Sequence, residues 1–287
     1  MFVAIIGGAG KMGSWFARYF IEHGHDLTIF DINMDKANLI AESLGIKACK
    51  SSAEAAKDAD LLLVATPIEV TPKVISEVAL ALKEGSILVE ISSLKSMVFP
   101  VLKEISKRGL RTLSIHPLFG SGARGIAGEK IALIPVNDLR LEEKLVREIF
   151  PEANIIPVDC YTHDKIMALT LSLTHFINIV FASVISEENI HMLKQLSGTT
   201  FTLQLILSEA VMTEDPSLYA SIQMNNEHTI KYIDKFICNV LKLKNIIENR
   251  DSEGFTQFYN EVRRALFRDS DFEAAYRRMY HALKAIR

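Results

Sequence analysis

The sequence predicts an α/β domain with a doubly wound, mostly parallel sheet, followed by a domain made of helices alone. Two textures carry this prediction. Up to about residue 158, short β-branched runs ("FVAII", "LTIF", "DLLLVAT", "SILVEI", "RTLSIH" and "IALIP") alternate with amphipathic stretches, as βαβ units require. From about residue 160, segments such as "KIMALTLSLTHFINIVFASVIS" and "HTIKYIDKFICNVLKLKNIIEN" are long, apolar at helical spacing and free of strand signals. The predicted division is residues 1–158 and 159–287.

The chain has 287 residues, 49% of them hydrophobic, enough to bury a substantial core. Lys and Arg number 32 against 35 Asp and Glu, a net charge of -3, and no run of like charges forms a nucleic-acid or membrane footprint. A small-molecule partner is expected. Cys49, Cys160 and Cys238 are far apart, with no CxxC pair and no zinc-ligand spacing, so they read as reduced packing residues of a cytoplasmic protein without a metal site. The opening "MFVAIIGGAG" turns to glycine too soon for a signal peptide, and no run of 18 apolar residues occurs. No membrane span is expected.

The first strand and helix enclose the first motif. In "AIIGGAGKMG", Gly8, Gly10 and Gly13 have G-x-G-x-x-G spacing after a predicted strand and at the start of a predicted helix over 11–22. Gly8 permits a tight turn, Gly10 admits a pyrophosphate, and Gly13 lets helix and sheet pack closely. Ala9, Lys11 and Met12 complete this loop, so a Rossmann-type dinucleotide site is predicted there. The second strand, "LTIFD", ends in Asp31, 18 residues beyond Gly13. A carboxylate there accepts ribose hydroxyls and repels a 2′-phosphate, and with Ile32 and Asn33 following and no arginine nearby, NAD is predicted over NADP.

"DLLLVATPIEV" ends a buried strand at Thr66-Pro67, placing Ala65, Thr66 and Pro67 beside the cofactor, or else forming a plain turn with Pro67 early in a helix. "SILVEI" then runs into "SSLKS", so Ser92, Ser93 and Lys95 emerge at the same carboxyl edge. The following strand ends in "SIHPLFG" and brings His116 there too. A histidine near its ordinary pKa of about 6.5 can take a hydroxyl proton as hydride leaves the same carbon. A serine can bond that oxygen, and a lysine can hold an anionic group. Other roles are open: Ser92 or Ser93 capping a helix near Leu94, Lys95 as a solvated helix residue, and His116 bonding a backbone carbonyl. Beyond these strands, residues 166–185 are apolar on more than one face, which calls for burial against a second copy in a homodimer.

Most of the chain resembles the prephenate dehydrogenase family of tyrosine biosynthesis. The resemblance rests on "GGAGKMG" at 7–13, "SSLKS" at 92–96, "HPLFG" at 116–120, "HDKIM" at 163–167, "THF" at 174–176 and "DPSLYASIQM" at 215–224. It implies a Rossmann-type domain followed by an all-α dimerisation and substrate domain. It also implies NAD-dependent oxidation of prephenate, with loss of carbon dioxide, to 4-hydroxyphenylpyruvate. By the resemblance, His116 bonds the ring hydroxyl and assists hydride transfer, Ser93 positions that hydroxyl and the nicotinamide, Lys95 belongs to the substrate pocket, and His175 lies near the substrate side chain. His163 with Asp164 opens the first C-terminal helix and reads as structural.

One departure concerns the substrate. The family generally carries an arginine in the helix before the "DPSLYA" segment, gripping a carboxylate bidentately. Here the equivalent residue is Ala210, and no Lys or Arg occurs between Lys194 and Lys231. Three explanations stand: Arg124, in "GSGARGIAG", supplies the anchor; a partner subunit does; or the substrate differs. Arogenate is the alternative substrate, and a non-catalytic dinucleotide-binding module is the alternative from another class. No appended regulatory domain is expected.

Overall fold

Eight strands form one sheet in the order β3-β2-β1-β4-β5-β6-β7-β8. They are β1 (Phe2–Ile6), β2 (Asp26–Phe30), β3 (Lys47–Ala48), β4 (Leu61–Val64), β5 (Ile87–Glu90), β6 (Arg111–Pro117), β7 (Lys130–Ile134) and β8 (Asn154–Pro157). All pairs are parallel except β6 with β7, where His116 stands opposite Ala132. The six predicted strands are present; β3 and β8 are additional, and their short, mostly polar-flanked runs offer little periodicity to read.

The helices between strands are α1 (Lys11–Glu22), α2 (Met34–Leu44), α3 (Ser52–Ala56), α4 (Thr71–Val78), α5 (Phe99–Ser106) and α6 (Leu139–Ile149). Then follow α7 (Cys160–Met167), a π-helical stretch (Ala168–Leu173), α8 (Thr174–Ile185), α9 (Ile190–Leu196) and α10 (Thr199–Met212). Last come α11 (Pro216–Asn225), α12 (Thr229–Glu248), α13 (Ser252–Leu266) and α14 (Ala275–Ile286). This computed structural model describes residues 1–286.

The chain divides into a first unit, Met1–Met167 with Met224–Asn226, and a second, which runs from Ala168 to Gln223 and resumes at Glu227. The sequence placed the division at 158/159, whereas α7 packs with the first unit. The Asp164 carboxylate in α7 accepts from the backbone amides of Lys95 and Ser96, and Asn226 Nδ2 donates to the Asp164 carbonyl.

In the first unit the central strands are apolar on both faces, as a sheet covered by helices on both sides requires. Val3 and Ile5 join one core with Trp15, Phe16, Phe20 and Phe150. Ala4 and Ile6 join the other with Leu62, Val64, Ile75 and Leu102. The chain turns back across β1 to lay down β4, so the crevice beyond the ends of β1 and β4 is the topological switch point, where open α/β sheets bind ligands.

The regular elements of the second unit's described residues are all helices, as predicted, but many of its large apolar residues are exposed. In α8, Val180 and Val184 are exposed, and the buried residue is Asn178. The expectation of no membrane span rests on the lack of an unbroken apolar run, yet one helix is long and apolar enough to cross a membrane by length and composition alone. The continuous helical run Cys160–Ile185 has 26 residues and a hydropathy of 1.8, with 17% of its most apolar window buried. Unbroken apolar runs were the wrong measure, because scattered Thr, Ser and His barely lower the mean. The same run carries interior polar bonds: Asn178 Oδ1 accepts from Ser208 Oγ and Gln204 Nε2, both at 2.9 Å, and Thr229 Oγ1 donates to Ser172 Oγ at 2.9 Å. Such groups pair a helix with other helices.

Candidate functional site

The glycine loop follows β1 and opens α1. Gly10 is the N-cap and brings no side chain to the helix start, and no acidic residue lies in the first turn. A Cβ added at Gly13 would stand 2.1 Å from the Gly7 carbonyl oxygen, and one at Gly8 would stand 2.6 Å from Ile29 Cβ. Gly7 has φ +82, and its carbonyl receives the Gly10 amide at 3.1 Å. The loop is therefore pulled against β1, leaving the positive end of α1 open to an anion.

Asp31, at the end of β2, faces this loop. Its Oδ2 accepts from the Ala9 amide at 3.0 Å, and Oδ1 accepts from the Asn33 amide at 3.0 Å. Each oxygen keeps a further lone pair for a ribose hydroxyl. On the other side, Ala65 follows β4, its carbonyl oxygen only 2.5 Å from where a Gly7 Cβ would be. Thr66 Oγ1 bonds Thr71 Oγ1 at 2.8 Å. Pro67 is not an early helix residue: it lies in the turn before α4, where its carbonyl accepts from Val70 and Thr71.

Next along the edge are β5 and β6. Neither serine caps a helix near Leu94, because α5 begins at Phe99 with Val98 as N-cap. Ser92 Oγ is buried with no hydrogen-bond partner, and Ser93 is half-buried. Lys95 requires correction as a substrate ligand. Its side chain has 0% exposure; Nζ donates to Glu90 Oε1 at 2.7 Å and to the Ile115 carbonyl at 2.7 Å. Burial pushes its pKa down, opposed chiefly by Glu90. Glu90 also accepts from Ser114 Oγ and, at 2.8 Å, from the Ser92 amide. Lys95 thus ties β5 to β6 from inside and presents nothing to a ligand.

His116, directly after Ile115, is 5% exposed. Burial, then the neighbouring His163 and Lys95, hold its pKa well below the ordinary 6.5, so it is neutral at physiological pH. Its Nδ1 lies 3.0 Å from His163 Nε2, and His163 Nδ1 lies 2.7 Å from Asp164 Oδ1. His163 was read from sequence only as opening a helix. The structure makes it the direct neighbour of His116, with the rings 5.2 Å apart. Sequence reasoning passed over Glu90 and Ser114 as well; a glutamate inside the apolar run "SILVEI" was the available signal. Arg124 is exposed in the loop after β6, where the Ala123 carbonyl accepts from Trp15 Nε1 at 2.8 Å.

Within the second unit, His175 packs edge-on against Tyr219 at 4.5 Å, and its Nδ1 is buried without a hydrogen-bond partner. Burial lowers its pKa. Ala210 is exposed in α10 and offers no charge. The described residues contain no cluster of three or more His, Cys, Asp or Glu able to hold a metal.

Residues 16–134 match the family model "Prephenate dehydrogenase, nucleotide-binding domain", and residues 159–261 match "Prephenate dehydrogenase, dimerization domain". The chain belongs to the prephenate dehydrogenase family. It is 30% identical over 266 residues to a probable arogenate/prephenate dehydrogenase of Methanocaldococcus jannaschii, covering 91% of this chain and 60% of that one. It is 26% identical over 264 residues to the T-protein of Haemophilus influenzae, covering 91% and 66%. The chain thus spans less than two thirds of either relative's length. In fold it is similar to the prephenate dehydrogenase of A. aeolicus solved with hydroxyphenyl propionate and NAD+, with a TM-score of 0.75 at 21% identity, covering 93% of this chain and 98% of that one.

Proposed function

We propose that this family member is an NAD-dependent dehydrogenase that oxidatively decarboxylates prephenate to 4-hydroxyphenylpyruvate in tyrosine biosynthesis. The observation that carries the reading is His116, a neutral imidazole on the carboxyl side of the same sheet as a glycine loop closed to side chains. The loop fits a dinucleotide: Gly10–Gly13 present the start of α1 to the pyrophosphate, Asp31 takes the adenosine ribose, and Ala65, Thr66, Pro67 and Ser92 line the way toward the nicotinamide. NAD, when bound, accepts hydride from the ring carbinol.

His116 takes the hydroxyl proton as the carbinol becomes a carbonyl, and Ser93 holds that oxygen. Loss of the ring carboxylate as carbon dioxide sends its electron pair through the ring to the oxygen, and His116 returns the proton to the resulting phenolate. The proton is borrowed, so one neutral base suffices. Arg124 and His175 are the proposed contacts to the substrate's charged groups and side chain. The protein works in the cytoplasm as a homodimer that buries the exposed apolar residues of α8 and its neighbours; sedimentation as a stable monomer at micromolar concentration would refute the dimer.

A second substrate is favoured by one observation: the Methanocaldococcus relative carries both names, arogenate and prephenate. The test mixes purified protein with NAD and prephenate, then arogenate, following NADH absorbance. Turnover with prephenate supports the reading. Turnover with arogenate alone corrects the substrate, and no turnover with either leaves a dinucleotide-binding module.

A further inference from the structure

His116, His163 and Asp164 form one hydrogen-bonded line with 5%, 1% and 4% exposure. The direction of each bond follows from its fixed end. The Asp164 carboxylate accepts from the Lys95 amide at 2.9 Å and from the Ser96 amide at 2.8 Å. Burial raises its pKa, but the His163 bond and these amides outweigh it and hold the carboxyl below its ordinary range. An ionised carboxylate can only accept, so His163 Nδ1 carries a proton.

Burial lowers the pKa of His163 even against the Asp164 bond, so its ring is neutral and Nε2 holds a lone pair. His116 Nδ1 must then donate to it. His116 is neutral too and has one ring proton, which this bond occupies. Its Nε2, which makes no hydrogen bond among the described residues, is left with the lone pair.

We propose that His163 and Asp164 are positioning residues that lock His116 in the Nδ1–H tautomer, making Nε2 the atom that accepts and returns the substrate proton. The proposal rests on His116 being the base. In the transfer, the substrate O–H bond breaks and an Nε2–H bond forms. The imidazolium keeps its Nδ1–H bond to His163, with the Asp164 charge behind it, so no proton need travel along the line.

Asp164→Asn separates this role from a packing role. The Ser96 amide, 2.8 Å from Oδ2, holds the asparagine oxygen at that place, where the Lys95 amide keeps its 3.2 Å bond, and this turns the NH₂ into the Oδ1 place toward His163 Nδ1. His163 then reverses, Nε2–H donates to His116 Nδ1, and the His116 proton moves to Nε2. The experiment uses ¹⁵N-labelled full-length protein without substrate and reads long-range ¹H–¹⁵N correlations of the imidazole rings, assigned with His116→Gln. Wild type should show His116 with a pyridine-like Nε2 and a pyrrole-like Nδ1, and Asp164→Asn should exchange them. Turnover by Asp164→Asn should fall roughly 10²-fold or more through kcat, as with other wrong-tautomer substitutions, with KM and NAD affinity nearly unchanged.

A wild-type His116 protonated on Nε2 would overturn the proposal even if no variant folds. So would an Asp164→Asn protein with undiminished kcat. Because the spectrum needs no substrate, an inactive wild type with Nδ1–H His116 would fail the proposed function and still support the proton placement.

Discussion

Gly13→Ala puts the cofactor loop under its sharpest test. The new methyl would lie 2.1 Å from the Gly7 oxygen, 2.9 Å from the Gly7 carbonyl carbon and 3.0 Å from Gly8 Cα. Every obstructing atom is backbone, so no side chain can swing away. Relief requires α1 and the loop to separate by about 1 Å, an overpacking cost of about 1–3 kcal/mol, with this all-backbone clash at the upper end. In a unit of this size, 2–3 kcal/mol corresponds to a drop of about 4–12 °C in Tm. The same shift carries the first turn of α1 away from the pyrophosphate, so NAD affinity should fall at least tenfold, on the order of 1.4 kcal/mol. Trp15 is the sole tryptophan, lies buried in α1 and reports both effects through its fluorescence during melting and NAD titration. Gly122→Ala is the control: nothing lies within 4 Å of its Cβ, and Tm should hold. Wild-type NAD affinity and an unchanged Tm in Gly13→Ala would refute the close-packed loop.

Other outcomes follow from the same geometry. His116→Asn should lower kcat by roughly 10²–10⁴ with NAD affinity intact by titration; equal loss of both would make the histidine structural. Asp31→Ala should erase the preference for NAD over NADP, checked by comparing kcat/KM for the two; an unchanged ratio would misplace the ribose acid. Lys95→Met strands the Glu90 carboxylate in the core and should cost about 3–5 kcal/mol in urea unfolding, with Glu90→Gln added to it restoring most of the loss. The buried histidines set a pH window. Since His116 and His163 have folded pKa values below 6.5, the unfolded chain binds more protons between those values and 6.5. Stability should therefore fall as pH drops below about 6.5 and be indifferent to these groups above it, as thermal melts across pH would show. The kcat/KM profile should stay flat through pH 6.5, because His116 is still neutral there.

Local patterns reported much of this molecule. Glycine spacing after "FVAII" located the loop because close packing of helix and strand excludes a side chain at set positions. Asp31 was legible because strand length places its carboxylate at the loop. Lys95 was expected to hold an anionic substrate group because "SSLKS" emerges at the carboxyl edge, and only the approach of β5 to β6 shows that Glu90 and the Ile115 carbonyl enclose it. The capping role offered for Ser92 or Ser93 failed because α5 starts at Phe99, several residues beyond both.

By itself, the sequence determined the fold class, the close-packed glycine loop and the place of the histidine at the strand end, since these depend on periodicity and on residues whose chemistry acts within a few positions. The tertiary structure alone decided what surrounds that histidine. His116 and His163 are 47 positions apart and meet at 3.0 Å because α7 docks at the sheet edge through amides at 95 and 96. Hydrogen-bond direction is a property of the assembled line. The proton's place on His116 is therefore written in no single segment of the chain.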